Sequence, residues 1–146
     1  MRPAADLEQA LARMTFRVEP GRFSLVGFDG APAAEDLAHL GDGPGQLVLE
    51  DGQTTLLVRA EEADAVLARR PGARVERGLC WIRFDAPMGW EVVGFLALVC
   101  ARLAEAGIPL GCVCGFDRDH LFVAEGHRAR AVEVLAGLFA QTDGGR

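Results

Sequence analysis

The sequence predicts an α+β protein made of two related halves, and three observations indicate this. Half of the 146 residues are apolar, which is enough for one buried core or two small ones. Short stretches with strand-type patterns alternate with helical ones. The segment DGQTTLLVRAEEADAVLA, residues 51–68, aligns with DRDHLFVAEGHRARAVEVLA, residues 117–136, when short gaps are allowed. The same order of elements therefore occurs twice along the chain.

The first half follows a short helical stretch at the N terminus. Its predicted elements are strands at residues 15–18, 23–28, 46–50, 54–59 and 73–76, with helices at residues 33–40 and 61–69. Pro20-Gly21 separates the first two strands, and the glycine-rich segment 41–45 ends the weak first helix. Asp51-Gly52 is the strongest hairpin signal in the sequence, because this dipeptide suits the tight turns between antiparallel strands.

The second half contains the longest predicted helix. Its predicted elements are strands at residues 79–84, 109–114 and 120–124, with helices at residues 90–106 and 128–139. The loop 85–89 precedes the helix that begins at Trp90, and Gly107 ends that helix, since glycine readily adopts the left-handed conformation found there. The polar residues 141–146 are expected to form a loose tail.

Apart from the strands at residues 15–18 and 73–76, each half has the order strand, helix, strand, strand, helix, which is a ferredoxin-like βαββαβ unit without its last strand. Residues 73–76 can close the first unit, whereas only the polar tail follows the last helix of the second. We therefore expect the spare strand at residues 14–18 to complete the sheet of the second unit. The units are predicted at residues 20–77 and 78–140, and the shared strand should make them inseparable by truncation.

Composition and charge exclude several classes of protein. The net charge of −6, without a stripe of Lys and Arg, argues against nucleic-acid binding. Residues 1–14 are interrupted by charges and do not resemble a signal peptide. The longest apolar run, residues 92–101, is too short to cross a bilayer. We expect a cytoplasmic protein that does not bind nucleic acid or membranes.

Cysteine spacing and catalytic motifs give no indication of a cofactor or an enzyme. Cys80, Cys100, Cys112 and Cys114 are expected to be free thiols, because a reducing compartment and an apolar core make disulfides unnecessary. No second Cys/His pair lies at metal-ligand spacing, so we predict no metal and no other cofactor. The sequence also lacks the common hydrolase, P-loop and zinc-protease motifs, and we therefore predict that the protein is not an enzyme.

The segment GLCWIRFDAPMGWEVVGFLALVCARLAEAGIPLGCVCGFDRDHLFV, residues 78–123, resembles the second unit of small bacterial tandem ACT-domain proteins. Residues 16–28 and 49–58 resemble the first unit, so the resemblance covers nearly the whole chain. The turn at Phe116 and Asp119-His120 is also similar to that of the animal cytosolic arginine sensors of the CASTOR type. The resemblance implies a regulatory or sensor protein that binds a small molecule, typically an amino acid, at the interface between its ACT units.

The candidate ligand-binding residues lie around the start of the long helix and in the turn that follows it. A helix that begins near Gly89-Trp90 presents backbone N–H groups that suit a carboxylate, and Gly94 would let a ligand approach the backbone closely. Asp119 would accept hydrogen bonds from an ammonium or guanidinium group. The complete candidate set is Asp119, Gly94, Val93, Phe116, Gly115 and Asp117.

Each candidate also has a structural interpretation. Gly94 would equally allow close helix packing, and Asp117 and Asp119 are typical of turns, where aspartate bonds its own backbone. Phe116 and Trp90 are expected to pack in a core or an interface. Because the long helix is apolar on more than one face, we expect a homodimer, although internal packing of the two units would also bury these faces. A protein-interaction module without a ligand is therefore the alternative function.

Overall fold

The computed structural model describes residues 3–41 and 43–140, so residue 42 and the predicted tail at residues 141–146 lie outside the described residues. The helices are α1 (Pro3–Arg13), α2 (Ala34–Ala38), α3 (Ala60–Arg69), α4 (Phe95–Glu105) and α5 (Arg128–Ala140). The strands are β1 (Phe16–Val18), β2 (Phe23–Asp29), β3 (Gln46–Glu50), β4 (Gln53–Arg59), β5 (Arg74–Phe84), β6 (Gly111–Cys114) and β7 (Asp119–Ala124). A single turn of 3-10 helix, Glu125–His127, precedes α5.

The predicted α+β architecture with ferredoxin-like units is confirmed. The described chain divides into two compact units: the first unit is Pro20–Leu79, and the second unit comprises the residues up to Glu19 together with those from Cys80 onward. Strands follow the order β3-β4-β2-β5 in the first unit and β6-β7-β5-β1 in the second. Both units therefore have the same strand order, and β5 begins in one and ends in the other.

The two strands predicted at residues 73–76 and 79–84 are one strand, β5. Its pairing with β2 shifts in register between Phe23 and Leu25, and Gly78 has a φ of 70°. Such a shift is a β-bulge, in which an extra residue takes a conformation that glycine adopts without strain. The break that the pattern predicts between two strands is therefore a bulge within a single strand.

The core of the first unit lies on one face of its sheet. Val26 pairs with Leu56, and Leu56 pairs with Leu47 of the neighbouring strand, so these side chains point to the same face. Helix α3 presents Ala63 and Val66, about one helical turn apart, to the buried side chains of this face. Burial of these apolar side chains is what holds α3 on the sheet.

Helix α2 is short, and a buried ion cluster fixes it to the end of α3. The side chain of Asp36 has no exposed surface, and its carboxylate accepts a hydrogen bond of 2.7 Å from the N–H of Ala33. The same carboxylate pairs with the guanidinium groups of Arg69 and Arg70. Arg70 also lies 4.4 Å from the ring centroid of Phe28. Hydrogen bonding, chiefly from Arg70, lowers the pKa of Asp36 to about 2.

The contribution of Asp36 to stability should be lost in acid. Its pKa of about 2 in the folded protein lies below its ordinary value of 3.8, so the ionised carboxylate stabilises the fold above about pH 4. This contribution, about 2 kcal/mol, disappears as the pH falls through about 2. Urea unfolding of the wild type and Asp36→Asn should show a stability difference that shrinks between about pH 5 and pH 2. A difference that stays constant over this range would contradict the prediction.

The N-terminal strand completes the sheet of the second unit, as predicted. Phe16 pairs with Phe84 and Val18 pairs with Ile82, so β1 runs antiparallel to the second half of β5. A backbone hydrogen bond of 2.8 Å from Asp85 to the carbonyl of Thr15 extends the pairing beyond the strand ends. The first nineteen or so residues are therefore part of the second unit, although the rest of that unit begins sixty residues later.

Aromatic side chains form the centre of the second core. Phe84 is fully buried, and its ring meets those of Phe95 and Phe139 edge to face, with centroid separations of 5.1 and 5.9 Å. This is the favoured arrangement for aromatic pairs. Leu11 of helix α1 and Met14, which follows that helix, add their buried side chains to the same cluster. The core of the second unit therefore depends on both ends of the chain.

Helix α4 is shorter than the predicted helix at residues 90–106. It begins at Phe95, because residues 90–94 form turns that end at Gly94. Phe95, Val99 and Leu103 follow one another at helical spacing and are the buried residues of α4. Neither α4 nor any other helix in residues 3–41 and 43–140 is both long and apolar enough to cross a membrane.

Candidate ligand-binding site

A cavity of about 260 Å³ lies within the second unit. One wall is formed by residues 88–90, 92 and 94–97, which lead into α4 and form its first turn. The other wall is formed by residues 114–119, the hairpin turn between β6 and β7 with its two flanking residues. The cavity therefore joins the two segments in which sequence analysis placed the candidate residues.

The hairpin turn is closed by its own backbone. Cys114 and Asp119 are paired at the ends of β6 and β7, and residues 115–118 connect them. The N–H of Gly115 donates to the carbonyl of Arg118 at 2.7 Å. A Cβ atom at Gly115 would lie 3.1 Å from that carbonyl oxygen, so a side chain would force the turn to shift. Glycine at this position keeps the turn compact.

Two contacts attach the turn to the segment 85–94 that precedes α4. The N–H of Met88 donates to the carbonyl of Asp117 at 2.9 Å. Nε of Arg118 donates to the carbonyl of Asp85 at 3.1 Å. The loop contributes only backbone atoms to these two contacts. The contacts therefore hold the two walls at a defined separation and do not depend on the side chains of the loop.

The N terminus of α4 opens into the cavity. Gly94 is its N-cap residue, with a φ of 96° that favours glycine, and no side chain caps this end of the helix. The first hydrogen bond of the helix runs from the N–H of Leu98 to the carbonyl of Gly94 at 2.9 Å. The N–H groups of Phe95, Leu96 and Ala97 precede that bond and have no acceptor within the helix. All three residues line the cavity, at the partly positive end of the helix dipole.

The opposite wall is negatively charged. It carries the carboxylates of Asp117 and Asp119 and the guanidinium of Arg118. The neighbouring carboxylate of Asp119, together with partial burial, raises the pKa of the Cys114 thiol to about 11. Cys114 is therefore a protonated thiol at neutral pH.

Two large aromatic side chains stand exposed at the cavity. Trp90 is 87% exposed and Phe116 is 89% exposed, one on each wall. Neither ring therefore packs in a core, and the alternative of packing in an interface stays a prediction. Trp90 lies in a turn ahead of α4 rather than inside the helix, and Phe116 lies at the tip of the hairpin. Exposed aromatic rings beside a concave surface are typical of binding sites.

The cavity brings together five of the six candidate residues. Those that line it are Asp119, Gly94, Phe116, Gly115 and Asp117. Val93 is not among the lining residues and is 63% exposed, because the later start of α4 places it in the preceding turn. Gly94 is the N-cap residue rather than a member of the early helical turns. A ligand-binding role for these residues stays a prediction.

Sequence analysis did not name several lining residues as ligand-binding. Met88 and Leu96 supply apolar surface, and Arg118 supplies a charge between the two aspartates. An apolar side chain beside a ligand carries no pattern that distinguishes it from a core residue. The signal that was available is the dipeptide Gly94-Phe95, since glycine followed by a helical pattern marks a helix that begins there.

No metal centre is visible in the part of the chain that the structure describes. Within residues 3–41 and 43–140, no three His, Cys, Asp or Glu side chains converge as a metal ion requires. Cys100, Cys112 and Cys114 are free thiols, and the last two are exposed along β6. The polar groups available at the cavity are therefore carboxylates, a guanidinium, a thiol and backbone N–H groups.

No protein-family model matches the sequence, and no curated protein matches it either. Solved structures match its fold. A protein of unknown function from Vibrio cholerae has a TM-score of 0.71 and 23% identity, over 94% of this chain and 98% of its own. A protein from Agrobacterium tumefaciens has a TM-score of 0.69 and 22% identity, over 87% and 90%. The regulatory subunit of aspartate kinase from Thermus flavus has a TM-score of 0.63 and 14% identity, over 85% and 96%.

The chain has an ACT-like fold. The tandem ferredoxin-like architecture predicted from the sequence agrees with this likeness, which concerns the fold alone because the identities are low. The narrower resemblance to sensors of the CASTOR type stays a prediction. The likeness to the Thermus flavus regulatory subunit concerns the fold, and the prediction of a protein that is not an enzyme stays a prediction.

Proposed function

We propose that this ACT-like protein binds a free amino acid in the cavity of its second unit and that binding serves a regulatory function. The observation that carries the proposal is the pairing of two walls: the uncapped N terminus of α4 on one side and the carboxylate of Asp119 on the other. An α-amino acid presents a carboxylate and an ammonium group on one carbon atom. It therefore complements both walls with a single small molecule.

The ligand carboxylate fits the N terminus of α4. The N–H groups of Phe95, Leu96 and Ala97 are donors without an acceptor inside the helix, and the helix dipole favours a negative charge at this end. The first turn of α4 contains no acidic side chain that would compete for these donors. Since Gly94 has no side chain, the carboxylate has access to the backbone.

The ligand ammonium fits the carboxylate of Asp119. Hydrogen bonds between ionised partners are about twice as strong as neutral ones. The net negative charge of the turn adds a longer-range attraction for a cation. Asp117 lies two residues away on the same wall and is a second acceptor for the ammonium group or for a polar ligand side chain.

The size and apolar surface of the cavity suit a metabolite of amino-acid size. Its volume, about 260 Å³, lies just below the range of about 300–1,000 Å³ that is typical of sites for drug-sized ligands. Met88 and Leu96 give it apolar surface, and the rings of Trp90 and Phe116 stand ready to cover a bound side chain. The regulatory part of the proposal follows from the likeness in fold to the regulatory subunit of aspartate kinase.

A panel of the twenty protein L-amino acids in a thermal unfolding assay tests the proposal. One or a few of them should raise the unfolding temperature, since a ligand at about 100 times its Kd adds about 2.7 kcal/mol of stability. Asp119→Ala should weaken binding of the active amino acid about 10- to 100-fold, because a hydrogen bond to a charged group contributes about 1.5–3 kcal/mol.

Two further variants make this test specific. Asp51→Ala, in the Asp51-Gly52 turn of the first unit, removes an exposed turn carboxylate elsewhere and should leave binding unchanged. Trp90 should report binding through its fluorescence, and Trp90→Phe should remove that signal change. If Asp119→Ala binds the amino acid as tightly as the wild type, Asp119 does not belong to the site.

A protein-interaction module is the second candidate function. It is favoured by the exposed apolar side chains of Trp90, Val93 and Phe116, which lie close together in sequence or across the cavity. In that case the amino-acid panel gives no response, and sedimentation shows a dimer that dissociates on Phe116→Asp. If the protein binds an amino acid and is a monomer both with and without it, the result would instead favour the sensor function and exclude the predicted homodimer.

A further inference from the structure

The first unit carries a buried carboxylate, that of Asp36, in the first turn of the helix that corresponds to α4. In each unit a strand leads through a loop into a helix, and a hairpin follows the helix. In each unit the loop also donates a backbone hydrogen bond to the turn of that hairpin. The bond runs from Gly30 to Gly52 at 2.8 Å in the first unit and from Met88 to Asp117 at 2.9 Å in the second. The start of α2 therefore corresponds to the start of α4.

The two loops differ in length, and this difference changes what lies between loop and turn. Residues 30–33 connect β2 to α2, whereas residues 85–94 connect β5 to α4. The short loop is held firmly against its turn, because Oγ1 of Thr54 donates to the carbonyl of Gly30 at 2.7 Å. In the second unit the long loop forms a wall of the cavity. In the first unit the carboxylate of Asp36 lies at the N terminus of α2, where it accepts a hydrogen bond from the N–H of Ala33.

The surroundings of Asp36 resemble a binding site for a carboxylate. Its carboxylate is fully buried and is held by the N–H of Ala33 and by the guanidinium groups of Arg69 and Arg70. The guanidinium group is the side chain best matched to a carboxylate in shape and charge. The side chains of Arg69 and Arg70 are 36% and 25% exposed, so these donors reach solvent although the carboxylate does not.

We infer that Asp36 is an internal substitute for a ligand: it fills a carboxylate site formed by Arg69 and Arg70, and each chain therefore binds one amino acid, in the second unit alone. The arginine pair at the end of α3, rather than the short helix α2, is the basis of this site. The filled site follows from the contacts of Asp36. The stoichiometry rests in addition on the proposed function of the second unit.

Removal of the Asp36 carboxylate should open the filled site to small carboxylates. Asp36→Ala should unfold at a lower temperature than the wild type, and sodium formate should restore at least half of the loss. Sodium chloride at the same ionic strength should restore much less, because chloride lacks the paired oxygens that two guanidinium groups bind. Asp36→Asn is the matched control, since its amide fills the space and should leave no room for formate.

Equal effects of formate and chloride on Asp36→Ala would overturn the filled site. If Asp36→Ala does not fold in chloride, its refolding in formate, followed by circular dichroism, replaces the comparison of unfolding temperatures. In that case a failure of formate to recover the folded spectrum would overturn the inference. The wild type should respond equally to the two salts, since its site is already occupied.

Calorimetric titration of the wild type tests the stoichiometry. The probe is the amino acid that raises the unfolding temperature in the panel, and one molecule should bind per chain. Two molecules per chain would overturn this inference while supporting the proposed function. A panel without any response would instead reject the proposed function, and the formate experiment would still decide whether Asp36 fills a carboxylate site.

Discussion

Removal of residues 1–18 should abolish cooperative folding of the second unit. Strand β1 covers one edge of β5 in that unit, and the segment before β1 supplies the buried side chains of Leu11 and Met14. Loss of two buried side chains alone costs about 4–10 kcal/mol. This is comparable to the whole stability of a typical domain, about 5–15 kcal/mol. Urea unfolding followed by fluorescence of Trp81, which is buried in the second unit, should show no sharp transition in the truncated protein.

A peptide of residues 1–19 added to the truncated protein is the control. It should restore the transition, because the missing strand then pairs with β5 from outside the chain. A peptide with Met14→Asp and Phe16→Asp should not restore it, since charged side chains cannot enter the core. A truncated protein that unfolds as sharply as the wild type, without any peptide, would show that β1 and α1 are dispensable.

Phe84→Ala should destabilise the second unit by about 4 kcal/mol. Truncation of a buried phenylalanine loses its apolar burial and leaves a cavity, at a typical cost of about 3–5 kcal/mol. Phe84 is fully buried, and its ring meets those of Phe95 and Phe139 edge to face. Neighbouring side chains therefore cannot easily collapse into the space that the substitution leaves. Urea unfolding measures the difference in free energy between variant and wild type.

Phe116→Ala is the matched control for Phe84→Ala. The substitution is the same, but Phe116 is 89% exposed at the tip of a turn, and its removal should change stability by less than about 0.5 kcal/mol. Similar losses in the two variants would contradict the placement of Phe84 in the core. The same Phe116→Ala protein should bind an active amino acid more weakly if its ring covers the ligand.

Much of the fold could be predicted because it follows from local patterns and from the repeat. The Asp51-Gly52 hairpin and the helix ending at Gly107 depend on residues that are adjacent in sequence, and α4 ends at Glu105, close to that glycine. The pairing of β1 with β5 is a contact between distant segments, yet it was predictable, since the second unit lacked one strand and the chain had one to spare. The bulge at Gly78 was not, because a glycine after a short strand is also typical of a turn.

The candidate site was only partly predictable, for a reason that concerns the start of α4. Apolar residues continue from Val92 into the helix, so the pattern indicates a helix from Trp90 onward. The left-handed conformation of Gly94 delays the start to Phe95. That shift moves Val93 away from the cavity lining, exposes Trp90 and places the free N–H groups opposite the turn. A hydrophobic pattern does not contain this information, since it reports burial and not backbone conformation.

The sequence by itself determined the duplicated α+β architecture, the use of the N-terminal strand and the two segments that carry the candidate residues, because periodicity and repetition are properties of the chain alone. Only the tertiary structure decided that these segments face each other across a cavity and that Asp36 is buried between Arg69 and Arg70. The physical reason is that such contacts join residues far apart in sequence, and their geometry depends on loop lengths and backbone angles that emerge only when the strands have paired.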